Sequence, residues 1–218
     1  MKRKRLLCAV LALVLLFSAQ PAAAALAPNA RSIEITADCR IPIIQVTVPS
    51  SGEVYINPLE LPVDIGTGRR YSGQIFSTPA CIANESEVPM QVDLTLTASV
   101  REGSTMTLAS APTGGEGTAK SAFVYFEMQQ SDTDNPKRVY WDPKYDPAKH
   151  IVIQDGMSIK KPKIMTLPPM TREGWVADGG YAPFRLTGDA VRDPTDEWTE
   201  KDGIDVTVAF TFTPIFHS

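Results

Sequence analysis

Residues 87–101, EVPMQVDLTLTASVR, alternate apolar and polar side chains almost without fault. The apolar members are Val88, Met90, Val92, Leu94, Leu96, Ala98 and Val100. Successive side chains of a β-strand point to opposite faces, so this pattern predicts a long strand with one buried face and one wet face. Residues 204–213 repeat the pattern, and we expect the apolar faces of both strands to line the same core.

Shorter segments rich in Val, Ile, Thr, Phe and Tyr extend this pattern along the chain. They lie at 32–37, 43–48, 52–56, 73–83, 121–129, 150–154 and 181–188. Turn-forming stretches between them carry most of the 18 prolines and 14 glycines. The sequence therefore predicts an all-β fold of about nine strands, arranged as an antiparallel two-sheet β-sandwich of the Ig-like or jelly-roll kind.

The N-terminal segment has the plan of a secretory signal peptide: basic residues 2–5, an apolar run at 6–17, and small residues that offer A-x-A cleavage sites. We expect a signal helix over residues 1–25 to be removed and residues 26–218 to form a single β-sandwich domain. An uncleaved N-terminal anchor is the alternative, although the run is too short for a bilayer core of ~30 Å. The prediction is a secreted, extracellular protein, either released or held at the cell surface by another molecule.

Cleavage would change the charge of the chain. It removes four of the 21 basic residues and none of the 25 acidic ones, so the formal net charge falls from −4 to about −8. A chain this acidic is repelled by nucleic acid and by anionic lipid, and neither is expected as a partner.

Two cysteines, Cys39 and Cys81, remain after cleavage. An even pair in an exported protein predicts one disulfide, and the spacing is not that of a zinc or redox site. Two free buried thiols and an intermolecular bridge are the alternatives.

Three stretches together resemble a set of small secreted β-sandwich proteins of Gram-positive bacteria. They are IQVTVPSSGEVYINPLELPV (44–63), CIANESEVPMQVDLTLTASV (81–100) and FRLTGDAVRDPTDEWTEKDGIDVTVAFTFTP (184–214). The shared pattern is I-x-V-x-V-P, I-N-P, N-x-S-x-V-P and a late W…D segment. More distantly, IANESEVPMQVDL is similar to a strand start in the camelysin and TasA group of matrix-fibre proteins. The resemblance implies the fold and an extracellular setting, and it brings no catalytic residue.

Catalytic motifs are scarce. The predicted mature chain has only His150 and His217, and it contains neither H-E-x-x-H nor G-x-S-x-G. We expect His150 to be a solvated residue at the start of a short strand. A paired-carboxylate glycosidase stays open, but most acidic residues fall in loops, where a charge is usually just solvated. We therefore predict a non-enzymatic protein without a cofactor.

Two stretches are candidates for binding. Asp132, Asp134, Asn135 and Asp142 offer oxygen ligands for calcium, although the EF-hand spacing fails and an Asx-rich turn explains them as well. In residues 121–129 the alternation sets Phe123 and Tyr125 opposite the core-type residues. If that side is exposed, these rings together with Tyr140, Trp141 and Trp175 form a candidate ligand face for a glycan. If the strand is buried on both sides, its aromatics are core.

The remaining function class is structural, and the sequence favours it. A long alternating strand at a sheet edge can pair with another chain, so we expect self-association or contact with other envelope or matrix proteins. The segment 26–37 is the natural donor strand. The predicted function is a secreted surface or extracellular-matrix structural protein, with a carbohydrate- or ligand-binding module or adhesin as the alternative.

Overall fold

The structure, a computed structural model, describes residues 44–58, 63–64, 70–71, 74–115, 119–142, 144–171, 174–191 and 198–216. The described residues form thirteen strands and one 3-10 turn, Pro136–Arg138. The strands are β1 Val46–Thr47, β2 Val54–Ile56, β3 Val63–Asp64, β4 Arg70–Tyr71, β5 Ile75–Ser77, β6 Ala80–Asn84, β7 Met90–Val100, β8 Thr107–Leu108, β9 Ser121–Met128, β10 Ile151–Val152, β11 Met157–Leu167, β12 Tyr181–Ala190 and β13 Ile204–Pro214. Within the described ranges, no helix is long and apolar enough to cross a membrane.

The predicted long strand is the centre of a three-stranded antiparallel sheet. The order is β11, β7, β13, and β7 alternates buried and partly exposed residues along most of its length. Its register with β13 runs unbroken from Ile204 opposite Val100 to Pro214 opposite Met90. The strand starts directly after Pro89, where a residue without an N–H does not interrupt the ladder.

The second sheet has eight strands and is centred on β12. This strand pairs with β9 on one side and with β5 and β6 on the other, and β1 and β2 extend the sheet beyond them. The short strands β8 and β10 pair with the far side of β9, and β8 does so in parallel. Every other pairing is antiparallel, including a separate two-stranded sheet formed by β3 and β4.

The two large sheets share a hydrophobic core, as the alternation predicts. Leu94, Leu96 and Ala98 of β7 are in one cluster with Val124 and Phe126 of β9. The β13 side chains Ile204, Val206, Val208 and Phe210 contact the same cluster. The expected all-β sandwich, with the apolar faces of both long strands in a common core, is therefore confirmed.

The strand count exceeds the predicted nine because several strands have only two or three residues. A segment of that length is too short to show a hydrophobic period in the sequence. Trp198 packs against the core shared by the two sheets, and its buried indole Nε1 has no hydrogen-bond partner within the described part of the chain.

The predicted disulfide between Cys39 and Cys81 is not found. Cys81 is a free thiol in β6, and its S–H donates to the carbonyl oxygen of Ile82 at 3.3 Å. Burial raises the pKa of this thiol to about 11. Because the structure describes only one of the two cysteines, the Cys39–Cys81 pair stays a prediction. Cys39, the signal segment 1–25 and the proposed donor strand 26–37 lie outside the described residues.

Candidate functional site

Strand β9 is buried on both faces. Ala122, Val124 and Phe126 face the core between the sheets, whereas Phe123 and Tyr125 point away from it. Residues 140–142 and 144–150 form a segment that covers this outer side, so Phe123 and Tyr125 are only 1% and 8% exposed.

Aromatic contacts hold the covering segment against β9. The ring of Tyr145 lies edge-on to Phe123 at 4.9 Å, and the imidazole of His150 stacks on Tyr125 at 4.8 Å and 18°. The candidate ligand face is therefore wrong for Phe123 and Tyr125, because a loop without a hydrophobic period of its own packs over them. These two rings support the segment that covers them.

The carboxylate of Glu127 is the centre of a buried polar network on this outer side. The side chain is 1% exposed, and its Oε2 accepts from Arg185 Nε at 2.9 Å and lies 2.8 Å from Arg185 Nη2. Its Oε1 accepts from the backbone N–H of Asp142 at 2.7 Å and from Gln129 Nε2 at 3.1 Å. A buried carboxylate is stable only with such partners.

Sheet register explains why these two charges meet. Arg185 of β12 lies directly opposite Glu127 of β9, and directly opposed side chains are near neighbours. The guanidinium of Arg185 also lies over the ring of Trp141, 4.6 Å from its centroid. Trp141 is consequently half-buried, and the network joins both strands to the covering segment.

His150 is buried instead of solvated, contrary to the sequence prediction. Its side chain is 2% exposed because the turn 146–150 folds back on itself. The backbone N–H of Asp146 donates to Nδ1 at 2.9 Å. Since Nδ1 is an acceptor, the neutral ring carries its proton on Nε2. That Nε2 faces Asp142 Oδ2 at 3.5 Å and Glu127 Oε1 at 3.9 Å, and it has no hydrogen-bond partner among the residues that the structure describes.

Glu127, Asp142 and His150 form the one group of His, Cys, Asp or Glu ligands in the described chain that a metal ion could bring together. Their ligand atoms lie within 4.8 Å of one another. However, a metal-binding imidazole uses the lone pair that Nε2 lacks in this tautomer, and it donates through its other nitrogen. Asp142 also accepts a hydrogen bond from Lys149 at 3.0 Å, and the charge of Glu127 is neutralised by Arg185. The donor set fits a closed charge network better than a metal centre.

The same geometry does not fit a general base. Proton abstraction requires a free lone pair on the imidazole, within reach of the substrate. The lone pair on Nδ1 of His150 is occupied by the Asp146 amide, and Nε2 holds a proton inside the network.

The predicted calcium ligands do not converge. Asn135 caps the 3-10 turn by accepting from the backbone N–H of Lys137 at 3.0 Å. Asp132 and Asp134 are exposed, and Asp142 belongs to the Glu127 network. The Asx-rich turn is thus the structure that forms, and the interpretation as a calcium site is wrong for these four residues.

A polar cleft opens above the Glu127 network. Its volume is about 350 Å³, and it adjoins a second cleft of about 670 Å³. Gln129, Gln130 and Tyr140 line both clefts, and we call the joined groove the Tyr140 cleft. Its first part is completed by Glu127, Met128, Asp142, Lys149 and His150, and its second part by Ser131, Asp132, Thr133, Arg138, Val139 and Gly179.

The walls of the Tyr140 cleft are fixed from below. Gln130 Nε2 donates to the carbonyl oxygens of Thr166 at 3.0 Å and Gly179 at 2.8 Å. Gln129 donates a hydrogen bond to Glu127, and Lys149 donates one to Asp142. Polar side chains held in this way lose little further freedom when a ligand binds.

The remaining aromatic residues of the predicted face are in different environments. Tyr140 is 84% exposed in the Tyr140 cleft, and Trp175 is 75% exposed but lines neither part of it. An exposed pair that the sequence reasoning missed, Tyr55 and Phe76, stacks across β2 and β5 with ring centroids 5.2 Å apart. The alternation in residues 52–56 already set Tyr55 opposite Val54 and Ile56 and was the available signal.

Comparison with family models, with curated proteins and with solved structures finds no match for this chain. The resemblance to secreted β-sandwich proteins of Gram-positive bacteria therefore stays a prediction. What indicates a function is therefore the chemistry of the site itself.

Proposed function

We propose that the protein is a non-enzymatic, exported β-sandwich module that binds a carbohydrate in the Tyr140 cleft. The observation that carries the proposal is the position of Tyr140, a highly exposed ring at the junction of two clefts, the first of which is polar. An exposed aromatic ring provides a flat apolar surface for a sugar ring. Amide, carboxylate and ammonium groups beside it supply the donors and acceptors that sugar hydroxyls need.

Charge supports a hydroxyl-rich ligand over a strongly charged one. Glu127 and Arg185 neutralise each other, and Asp142 and Lys149 do the same. No large uncompensated charge faces the ligand from these four residues. In the first part of the cleft, a neutral or weakly charged glycan can therefore bind beside these four residues without the desolvation of an unpaired ion.

A screen of immobilised glycans with the labelled full-length protein tests this function. For each glycan bound, calorimetry compares wild type with Tyr140→Ala, which we expect to weaken binding about tenfold through loss of one stacking contact. Tyr55→Ala is the matched control, because it removes another exposed ring outside the cleft. Equal affinity of Tyr140→Ala and wild type, or binding lost only in Tyr55→Ala, would contradict the proposal.

A structural subunit of the cell surface or extracellular matrix is the second candidate function. One observation favours it: β13 is an eleven-residue strand at the edge of its sheet, and no described strand pairs with its outer side. An open edge of this length can bind another strand through main-chain hydrogen bonds.

A further inference from the structure

The two edges of the three-stranded sheet differ in their protection. Edge strand β11 carries Lys160, Lys161, Pro162 and Lys163, its register shifts between Lys161 and Met165, and Lys163 has a φ of 53°. Lysines, proline and a bulge are the devices that keep an edge from pairing with another chain. Edge strand β13 has none of them before Pro214, and Asp205 is its only charged residue.

The ladder shows which main-chain groups of β13 are available. Gly203 accepts from the N–H of Arg101, and the N–H of Ile215 donates to Pro89. Odd-numbered residues therefore face β7, and the N–H and C=O groups of the even-numbered residues Ile204 to Phe212 point to the outer side. This outer row ends at Pro214, which has no N–H to offer.

We propose that the outer edge of β13 pairs with β13 of a second copy of this chain. The strands run antiparallel, with the two-fold axis at Ala209. The inference rests on the structural candidate above and names its partner and its register. Because antiparallel pairing places even residues opposite even residues, this register aligns the free groups of both strands. It forms about eight main-chain hydrogen bonds between the copies.

The sequence of β13 is self-complementary in this register. The smallest side chain, Ala209, meets itself where the outer-face side chains of the two strands come closest. Asp205 faces Thr213 of the second copy, so no like charges oppose each other. The other opposed pairs are Thr207 with Thr211, Val208 with Phe210 and Val206 with Phe212.

The apolar side of β13 also favours a second copy as the occupant. Val206, Val208, Phe210 and Phe212 are only half-buried in one copy, although they face the core. Pairing joins two three-stranded sheets into one six-stranded sheet and places equivalent side chains beside them. Since the contact is two-fold, it closes at a dimer and does not propagate into a fibre.

Light scattering after size exclusion, across a concentration series of the full-length chain, tests the pairing. We expect a monomer–dimer equilibrium in which Ala209→Lys weakens the dimer about tenfold or more, because two ammonium groups meet at the axis. Thr97→Lys is the matched control: it adds the same charge on the same exposed face of the central strand β7. An equimolar mixture of Ala209→Lys and Ala209→Glu should restore the dimer.

Three results would overturn the inference: a monomer at every concentration, a dimer unchanged by Ala209→Lys, or a lysine–glutamate mixture that stays monomeric. Deletion of residues 26–37 separates this pairing from the donor-strand prediction. If that deletion abolishes association while Ala209→Lys does not, the N-terminal segment is the interface and the structural function survives without the β13 contact.

Discussion

At the residue scale, Gly188 shows how closely β12 and β9 approach. A Cβ at this position would lie 1.8 Å from the carbonyl oxygen of Phe123, a distance that no packing adjustment of side chains relieves. The cross-strand pairs on either side of it, including Arg185 with Glu127, depend on this approach. Only glycine, which has no Cβ, therefore fits at this position.

We expect Gly188→Ala to lower the free energy of unfolding by about 3 kcal/mol or more, or to prevent folding, because the backbone of β9 has to move. Gly52→Ala is the control, since its Cβ would meet no atom within 4 Å. Chemical denaturation of both variants measures the difference. Equal stabilities would mean that the two strands do not approach as closely as described.

The thiol of Cys81 is a second test at this scale. Burial raises its pKa to about 11, so little reactive thiolate exists near pH 8, and alkylation of the native protein should be slow there and speed up toward pH 11. Mass spectrometry after denaturation without reductant then counts the thiols. A protein in which Cys81 stays unlabelled until a reductant is added would instead support the predicted disulfide.

The sequence predicted the side-chain positions correctly where the alternating stretch is long. It failed where the position depends on tertiary contacts. Alternation assigned Val124 and Phe126 to the core correctly. It could not show that Tyr145 and His150 cover Tyr125, because the segment that carries them has no period. The position of His150 depends on one turn and one backbone amide, and neither leaves a pattern in the sequence.

At the scale of elements, the carboxylate of Asp202 joins three parts of the sandwich. It accepts from the backbone N–H of Thr199 at 2.8 Å, from that of Thr105 at 3.1 Å and from the Ser104 hydroxyl at 3.0 Å. The ammonium of Lys120, just before β9, lies 3.3 Å away. These contacts connect the turn before β13 to the loop after β7 and to the start of β9.

Acid should weaken this connection. Burial opposes ionisation of Asp202, but the hydrogen bonds from Thr199, Thr105, Ser104 and Lys120 outweigh it and hold the carboxyl pKa well below its usual range. Because the folded pKa lies below the unfolded value near 3.9, the unfolded state binds protons first as the pH falls. The stabilisation is complete above about pH 5 and is lost progressively at lower pH.

Asp202→Asn should therefore cost about 2 kcal/mol at pH 7 and flatten the loss of stability below pH 5. Urea denaturation over a pH series measures both effects. The control is Asp205→Asn, which breaks an exposed ion pair with Arg101 at 3.6 Å and should cost about 0.5 kcal/mol or less. Parallel stability curves for wild type and Asp202→Asn would rule out this role.

At the scale of the whole molecule, the fold followed from alternation and the site did not. Two long strands with one apolar face each require a second sheet, because that apolar face has to be buried against another layer. The Tyr140 cleft lies on the far side of that second sheet, where a loop, a buried ion pair and two glutamine side chains meet. Such a surface depends on which strand lies opposite which, and alternation does not determine that order.

The most direct test of carbohydrate binding is a nuclear magnetic resonance titration of the isotope-labelled protein with the glycan that the array identifies. Binding in the Tyr140 cleft predicts shifts of the Gln129, Gln130 and Asp142 amides, with the Tyr55 and Phe76 amides unchanged. Shifts confined to Tyr55 and Phe76, or no saturable shift with any array glycan, would contradict it.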